Sequence, residues 1–194
     1  MIKKKLVEQV VEVRRKSDRI MSVKLVVDSE IFNVVSSYAP QIELDGETKR
    51  RFWEDLDEVI QNIPQTGKLF IGGDFNGHIG RRGDGYESVH GGFGYGERNN
   101  GGVSFLDFAV SYELVIVNSY FKKKDEHLIT FKSGSTRTKI DYFLMRSNDR
   151  RMCRDSKVIP SECLTTQHRL LVVDVEIRKA IRSRKTIGVY RIKC

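Results

Sequence analysis

Two β-rich runs around a short polar turn constrain this chain most: RIMSVKLVV, residues 19–27, and IFNVVSSY, residues 31–38. Both are dominated by β-branched, aromatic and aliphatic residues, and Asp28-Ser29-Glu30 between them has turn chemistry, so the pair reads as a β-hairpin. Ala39-Pro40 closes it, because proline cannot donate to a ladder. A hairpin this early favours an antiparallel arrangement in which one face of each strand is buried.

The remaining segments fit that start. Val7–Val13 suits a strand or a short helix. Phe52, Trp53, Leu56, Val59 and Ile60 fall at i, i+1, i+4, i+7 and i+8, one face of a helix over Glu47–Ile60 that Pro64 and Gly67 end. Lys68–Ile71 reads as a short buried strand. Between Gly72 and Gly102 lie 12 of the 16 glycines, which predicts a long loop of functional or disordered character. A helix is expected at Val103–Tyr112. Strands are expected at Leu114–Val117, Leu128–Phe131, Lys139–Met145, Met152–Ile159 and Leu170–Ile177. This order predicts an α+β fold, a largely antiparallel two-sheet β-sandwich with two helices.

At 194 residues the chain fits one domain with its own core. No apolar run approaches the ~18 residues that cross a bilayer, and the start has no apolar signal-peptide region. Cys153, Cys163 and Cys194 have no metal-like spacing and read as reduced thiols of an intracellular protein. The net charge is +8, and the excess sits at the ends: Lys3, Lys4, Lys5, Arg14, Arg15, Lys16 and Arg19, then Arg178, Lys179, Arg182, Arg184, Lys185, Arg191 and Lys193. Such ends favour a polyanionic partner, nucleic acid being the commonest, and are compatible with a nuclear location. Solubility accounts for the same charge.

Polar residues gather at predicted strand ends. Tyr38 finishes one strand, Asp74 and Asn76 stand just past another, Asp141 is near the start of a third, and Gln167-His168 precede a fourth. In antiparallel pairs the finish of one strand and the start of its neighbour share an edge, so all of these can converge on one rim. Asn118 ends a further strand. Each has a plainer reading: Asp74 as a turn residue, Asp141 paired with Arg137, His168 in an exposed loop, Tyr38 in the core, Asn118 as a turn. The glycine-rich GGFGYGERNNGG follows no strand and carries no GK[ST], so it is not a nucleotide loop. HExxH, an EF-hand loop and a serine elbow are all absent from the sequence.

Taken in order, SSYAPQ, IGGDFNGHIG, VNSYF, TFKSGSTRTKIDYFLM and TTQHRLLVVDVEI resemble the endonuclease/exonuclease/phosphatase (DNase I-like) superfamily. The nearer likeness is to the endonuclease domain of RTE-type non-LTR retrotransposons, and craniofacial development protein 2-like proteins are similar. The resemblance runs from about Val10 to Arg178 and implies a domain over residues 1–178 followed by a basic tail, 179–194. It implies a DNase I-like two-sheet sandwich flanked by helices and a metal-dependent phosphodiester hydrolase acting on DNA, with Mg²⁺ or Mn²⁺ as cofactor. In it Asp74 positions and deprotonates the attacking water, and Asn76 orients that water or the phosphate. His168 bonds the phosphate, Asp141 fixes the His168 tautomer, and Tyr38 contacts the scissile phosphate. Asn118 is a further phosphate contact, and Gln167 a weak metal ligand. Two departures stand out. The family's final histidine follows Ser-Asp, whereas His168 follows Thr166-Gln167. The family's upstream strands, with an asparagine and a metal-binding glutamate, are expected to be missing. A weak metal site and a slow or inactive enzyme follow from this, or a catalytically impaired nucleic-acid-binding or interaction module on the same fold.

Overall fold

The computed structural model describes residues 7–41, 43–163 and 167–177. Its first three strands are β1 (Val10–Arg15), β2 (Ile20–Val27) and β3 (Glu30–Tyr38), paired antiparallel in sequence order. The ambiguous first segment is therefore a strand. Val27 pairs with Glu30, leaving a two-residue turn at Asp28 (φ 49°) and Ser29 (φ 73°). Left-handed geometry at both central positions matches the twist of the flanking strands, which is why a two-residue hairpin adopts it.

β4 (Lys68–Asp74) pairs parallel to β3. A parallel neighbour requires a crossover, and helix α1 (Gly46–Gln61) supplies it, capped by Asp45, which accepts from the Thr48 amide at 2.8 Å. Helix α2 (Asn100–Ser111) covers the same sheet face. Strands β5 (Ile79–Gly80) and β6 (Tyr95–Arg98) form a small ladder between β4 and α2, and β7 (Leu114–Ile116) follows α2. Then come β8 (Phe131–Ser133), β9 (Thr136–Thr138), β10 (Asp141–Arg146), β11 (Cys153–Cys163) and β12 (Arg169–Val175). The main sheet has the order β1-β2-β3-β4-β10-β7.

Both faces of its centre are buried. On one, Ile20, Val35, Leu69, Ile71, Tyr142 and Leu144 pack with Phe52, Leu56 and Ile60 of α1 and Phe105, Leu106 and Ala109 of α2. On the other, Phe32, Phe70, Val115 and Met145 meet Val173 and Val175 of the antiparallel β11–β12 pair. Each such side chain contributes about 1.5–3 kcal/mol on burial. The architecture is the expected sandwich with helices outside, with a second sheet of two strands among the described residues.

Several expectations need correction. The stretch from Gly72 to Gly102 is not a long loop. β4 runs through both glycines to Asp74, β5 and β6 pair within the stretch, and Phe75, Ile79, Val89 and His90 are buried. The glycines serve close packing: a Cβ at Gly94 would lie 1.8 Å from the Gly80 carbonyl oxygen, and one at Gly102 would lie 1.7 Å from that of His78. The Arg98 guanidinium then stitches the segment, donating to the carbonyls of Ile79, Asp84, Arg82 and Gly83. α2 starts at Asn100 rather than Val103, because Asn99 caps it by accepting from the Gly102 amide at 2.8 Å. The strand expected at Leu128–Phe131 is instead a buried segment after a 3-10 turn at Asp125–His127; pairing begins only at Phe131, in a β8–β9 hairpin turned at Gly134 (φ 57°). The basic tail 179–194, Cys194 and Lys3 to Lys5 lie outside the described residues. Among the described residues no helix is long and apolar enough to cross a membrane.

Candidate active site

Three strands deliver three side chains to one rim. Tyr38 is the last residue of β3, Asp74 the last of β4 and Asp141 the first of β10, and the register sets Tyr38 beside Asp74 and Asp74 beside Asp141. Neighbouring strands are ~4.8 Å apart and directly opposed residues point to the same face. By strand alternation that face is the one carrying Phe70, Phe143 and Met145, toward the β11–β12 pair. The glycines before Asp74 make the spacing possible: a Cβ on Gly73 would lie 1.7 Å from the Ser37 carbonyl oxygen. Asp74 is thus the end of the strand itself, not a residue beyond it.

His168 arrives from the second sheet, immediately before β12. Lys132 N–H donates to the Gln167 carbonyl and Arg169 N–H to that of Thr130, so the 130–132 segment carries the histidine to the rim. The Phe131 ring sits edge-on to the imidazole at 5.1 Å. His168 Nδ1 lies 3.1 Å from Asp141 Oδ2 and Nε2 lies 3.9 Å from Asp74 Oδ2. The Asp141 carboxylate accepts only from a protonated Nδ1, which fixes the tautomer. His168 is therefore no exposed loop histidine, and the partner of Asp141 is His168.

The surrounding residues hold this pair. Asn76, at φ 48°, donates its amide N–H to Asp74 Oδ1 at 2.8 Å and its Nδ2 to the Ala39 carbonyl at 2.8 Å, tying the ends of β4 and β3 together. Asn118 is buried, with Nδ2 donating to the Asp141 carbonyl at 3.1 Å and Oδ1 accepting from Phe143 N–H at 3.2 Å. Both ends of its amide are engaged with β10. Where a phosphate contact was expected, the structure shows a brace behind Asp141. The Thr130 hydroxyl accepts from the amides of Ile140 and Asp141, each at 3.0 Å. Lys139, fully buried, donates to the carbonyls of Asn118 and Phe93, and burial pulls its ammonium down to about 7. Tyr142 hydroxyl donates across to the Gly77 carbonyl at 3.0 Å. Gln167 is exposed and its Nε2 donates to Ser133 Oγ at 2.9 Å. Sequence reasoning missed Thr130 and Lys139; the one signal for Lys139 was a lysine at the predicted strand start, next to Ile140.

The electrostatics follow from burial. Asp74 is pushed up to about 6 chiefly by desolvation and secondarily by the Asp141 charge, against the Asn76 amide and His168. Asp141 is also raised by burial, with Thr130 and His168 opposing. A carboxylate half-ionised near pH 6 is a competent base at neutral pH, and clusters of perturbed groups at a rim mark functional sites.

The chain was compared with known proteins. No family model matches it. It is 28% identical over 187 residues to craniofacial development protein 2 from Bos taurus, covering 95% of this chain and 31% of that protein. It superposes on the endonuclease domain of TRAS1, a telomere-specific non-LTR retrotransposon, with a TM-score of 0.62 at 15% identity, covering 86% of this chain and 66% of that one. The 3′ phosphatase NExo from Neisseria, bound to product DNA hairpin, aligns with a TM-score of 0.61 at 13% identity over 87% of this chain and 72% of its own. The fold is DNase I-like. The chain spans about a third of the length of the curated relatives it matches.

The DNase I-like fold raises the question of a divalent cation. A hard cation takes oxygen donors, about six for Mg²⁺. Asp74 Oδ2 and the Asn76 amide oxygen are donors of the correct class at the rim, where burial raises both the Asp74 and the Asp141 carboxyl. Among the described residues no group of three or more His, Cys, Asp or Glu side chains forms a metal cluster. The donor set fits a cation that keeps most of its waters.

Proposed function

We propose that this chain is a metal-dependent phosphodiester hydrolase of the nuclease type, acting on DNA. The observation that supports the reading most is His168 set between two carboxylates, bonded to Asp141 at 3.1 Å with Asp74 at 3.9 Å. Attack on a phosphodiester builds charge on the equatorial oxygens, so a donor and a base are needed together. Asp74 accepts the proton of the attacking water, which Asn76 orients. The water oxygen bonds to phosphorus as one ester P–O bond breaks, and the departing alkoxide takes a proton from solvent, leaving a phosphate monoester and a hydroxyl. His168, held at Nδ1 by Asp141, presents Nε2 to a non-bridging oxygen, to which it donates as the imidazolium, and Tyr38 supports the phosphate from β3. Asn118 holds Asp141 in register. A Mg²⁺ or Mn²⁺ ion, held by Asp74 and Asn76 with Gln167 as an outer partner, would neutralise phosphate charge as a Lewis acid.

A retroelement origin accords with the TRAS1 likeness, and DNA as substrate with the NExo complex. The test is nicking of supercoiled plasmid in Mg²⁺, with EDTA and the Asp74→Ala, His168→Ala double variant as controls. Nicking that survives either control defeats the reading. A second reading, a DNA-binding module without turnover, is favoured by neutral Gln167 beside His168. Salt-sensitive binding without any nicking would select it.

A further inference from the structure

The rim does not stop at the hydrolytic cluster. Across β3, the Tyr38 amide donates to the Arg19 carbonyl at 2.9 Å, and the Arg19 guanidinium lies over the Tyr38 ring, 5.3 Å from its centroid. Arg19 Nη1 is 3.5 Å from the Tyr38 carbonyl oxygen. One layer down, Arg15, Met21 and Ser36 are opposed across β1, β2 and β3, which puts them on the face that carries Asp74. Together with Asp18, these residues line an open hollow of about 380 Å³ beside Tyr38. Lys16 is not part of it, since its ammonium pairs with Glu58 at 2.6 Å on the helix side.

We propose that Arg19, stacked on Tyr38 and backed by Arg15, is a second phosphate contact for the nucleic-acid backbone, outside the hydrolytic cluster. The spacing supports this. Counting strands at ~4.8 Å, β2 stands about 10 Å from β4, or roughly three nucleotides of axial rise at ~3.4 Å each. A guanidinium offers five donors in a planar fork suited to phosphate, and an aromatic face fixes its plane. The role is positioning: Arg19 touches the polymer away from the reacting phosphorus and sets which bond reaches Asp74. Among the described residues the one carboxylate lining the hollow, Asp18, is exposed and lowers rather than cancels the positive charge.

This inference rests on nucleic acid being the ligand, and the experiment separates the two claims. Binding of a labelled 20-base-pair duplex in EDTA is followed by fluorescence anisotropy across a salt series. The expected result is that Arg19→Ala weakens binding about 3- to 10-fold and lowers the slope of log K against log salt by about one. Arg19→Lys, which keeps the charge without the fork, falls between wild type and Arg19→Ala. Arg154→Ala removes an equal charge at the far end of the β11–β12 pair and leaves both quantities unchanged. Wild-type binding with an unchanged Arg19→Ala slope overturns the Arg19 contact alone, as does an equal loss in Arg154→Ala. Failure of the wild type to bind duplex overturns both the contact and the nucleic-acid reading.

Discussion

Asp74 and Asp141 face each other directly across the β4–β10 ladder, each contributing the terminal residue of its strand, and His168 lies against both. Two like charges on adjacent strands cost stability unless something between them is positive. The imidazole is the side chain placed against both, and burial holds both carboxyls above their usual range. The arrangement makes the site responsive to protons, to cations and to a phosphate that approaches the outer ring nitrogen.

Asp141→Asn keeps the shape that Thr130 and Asn118 support but removes the charge facing His168 Nδ1. Mg²⁺-dependent plasmid nicking is expected to fall about 10²–10⁴-fold, with the melting temperature little changed. An unchanged rate would remove the His168–Asp141 pair from the mechanism.

Asp74→Asn should stabilise the metal-free fold. The Asp74 carboxyl is raised from 3.8 to about 6, mainly by burial, so the folded state holds its proton more tightly than the unfolded chain does. Stability therefore falls as pH rises from about 4 to 6 and stays reduced above that. The amide removes this cost, worth about 1–3 kcal/mol at pH 7.5 and nothing at pH 3.5. Urea unfolding at the two pH values measures it, and added Mg²⁺ should narrow the gap by stabilising only the wild type. A variant less stable than wild type at pH 7.5 would contradict the assigned charge state.

His90 sets an acid limit in the opposite direction. It is buried, accepts from the Gly92 amide at Nδ1 and faces the Gly80 carbonyl with Nε2 at 3.2 Å, so the neutral Nε2–H tautomer satisfies both contacts. Burial lowers it from 6.5 to about 4. The folded state then binds fewer protons than the unfolded chain, and stability is lost as pH falls below about 6.5, by about 2 kcal/mol at pH 5. Imidazole nitrogen shifts should show the Nε2–H form at neutral pH and a midpoint near 4; a midpoint above 6 contradicts the contact set.

Two glycines predict opposite outcomes. Gly73→Ala drives a Cβ into the Ser37 backbone at 1.7 Å and should cost more than about 3 kcal/mol, separating Tyr38 from Asp74. Gly46→Ala, in the first turn of α1 with nothing within 4 Å, should gain about 0.5–1 kcal/mol. Denaturant midpoints decide both, and a tolerated Gly73→Ala would mean that β3 and β4 can move apart.

Much of the frame was legible in the chain, because alternation and helical period report which face of an element is buried before any partner is known. The hairpin of β2 and β3, the face of α1 with Phe52, Leu56 and Ile60, and the polar residues at the strand ends came from such local patterns, and the family likeness rested on those same polar stretches. The glycine-rich segment did not read correctly. Glycine signals freedom in a sequence, yet here Gly73, Gly94 and Gly102 are needed because a neighbouring backbone occupies the place of a Cβ. For Asn118 the chain offered a phosphate contact, and the structure adds a second role, its amide spanning the Asp141 carbonyl and the Phe143 amide. Register decided the rest. A strand's own sequence fixes its alternation, but only packing against its neighbours fixes where it stops relative to them. That is why Tyr38, Asp74 and Asp141 became adjacent, and why His168 could reach them from the other sheet.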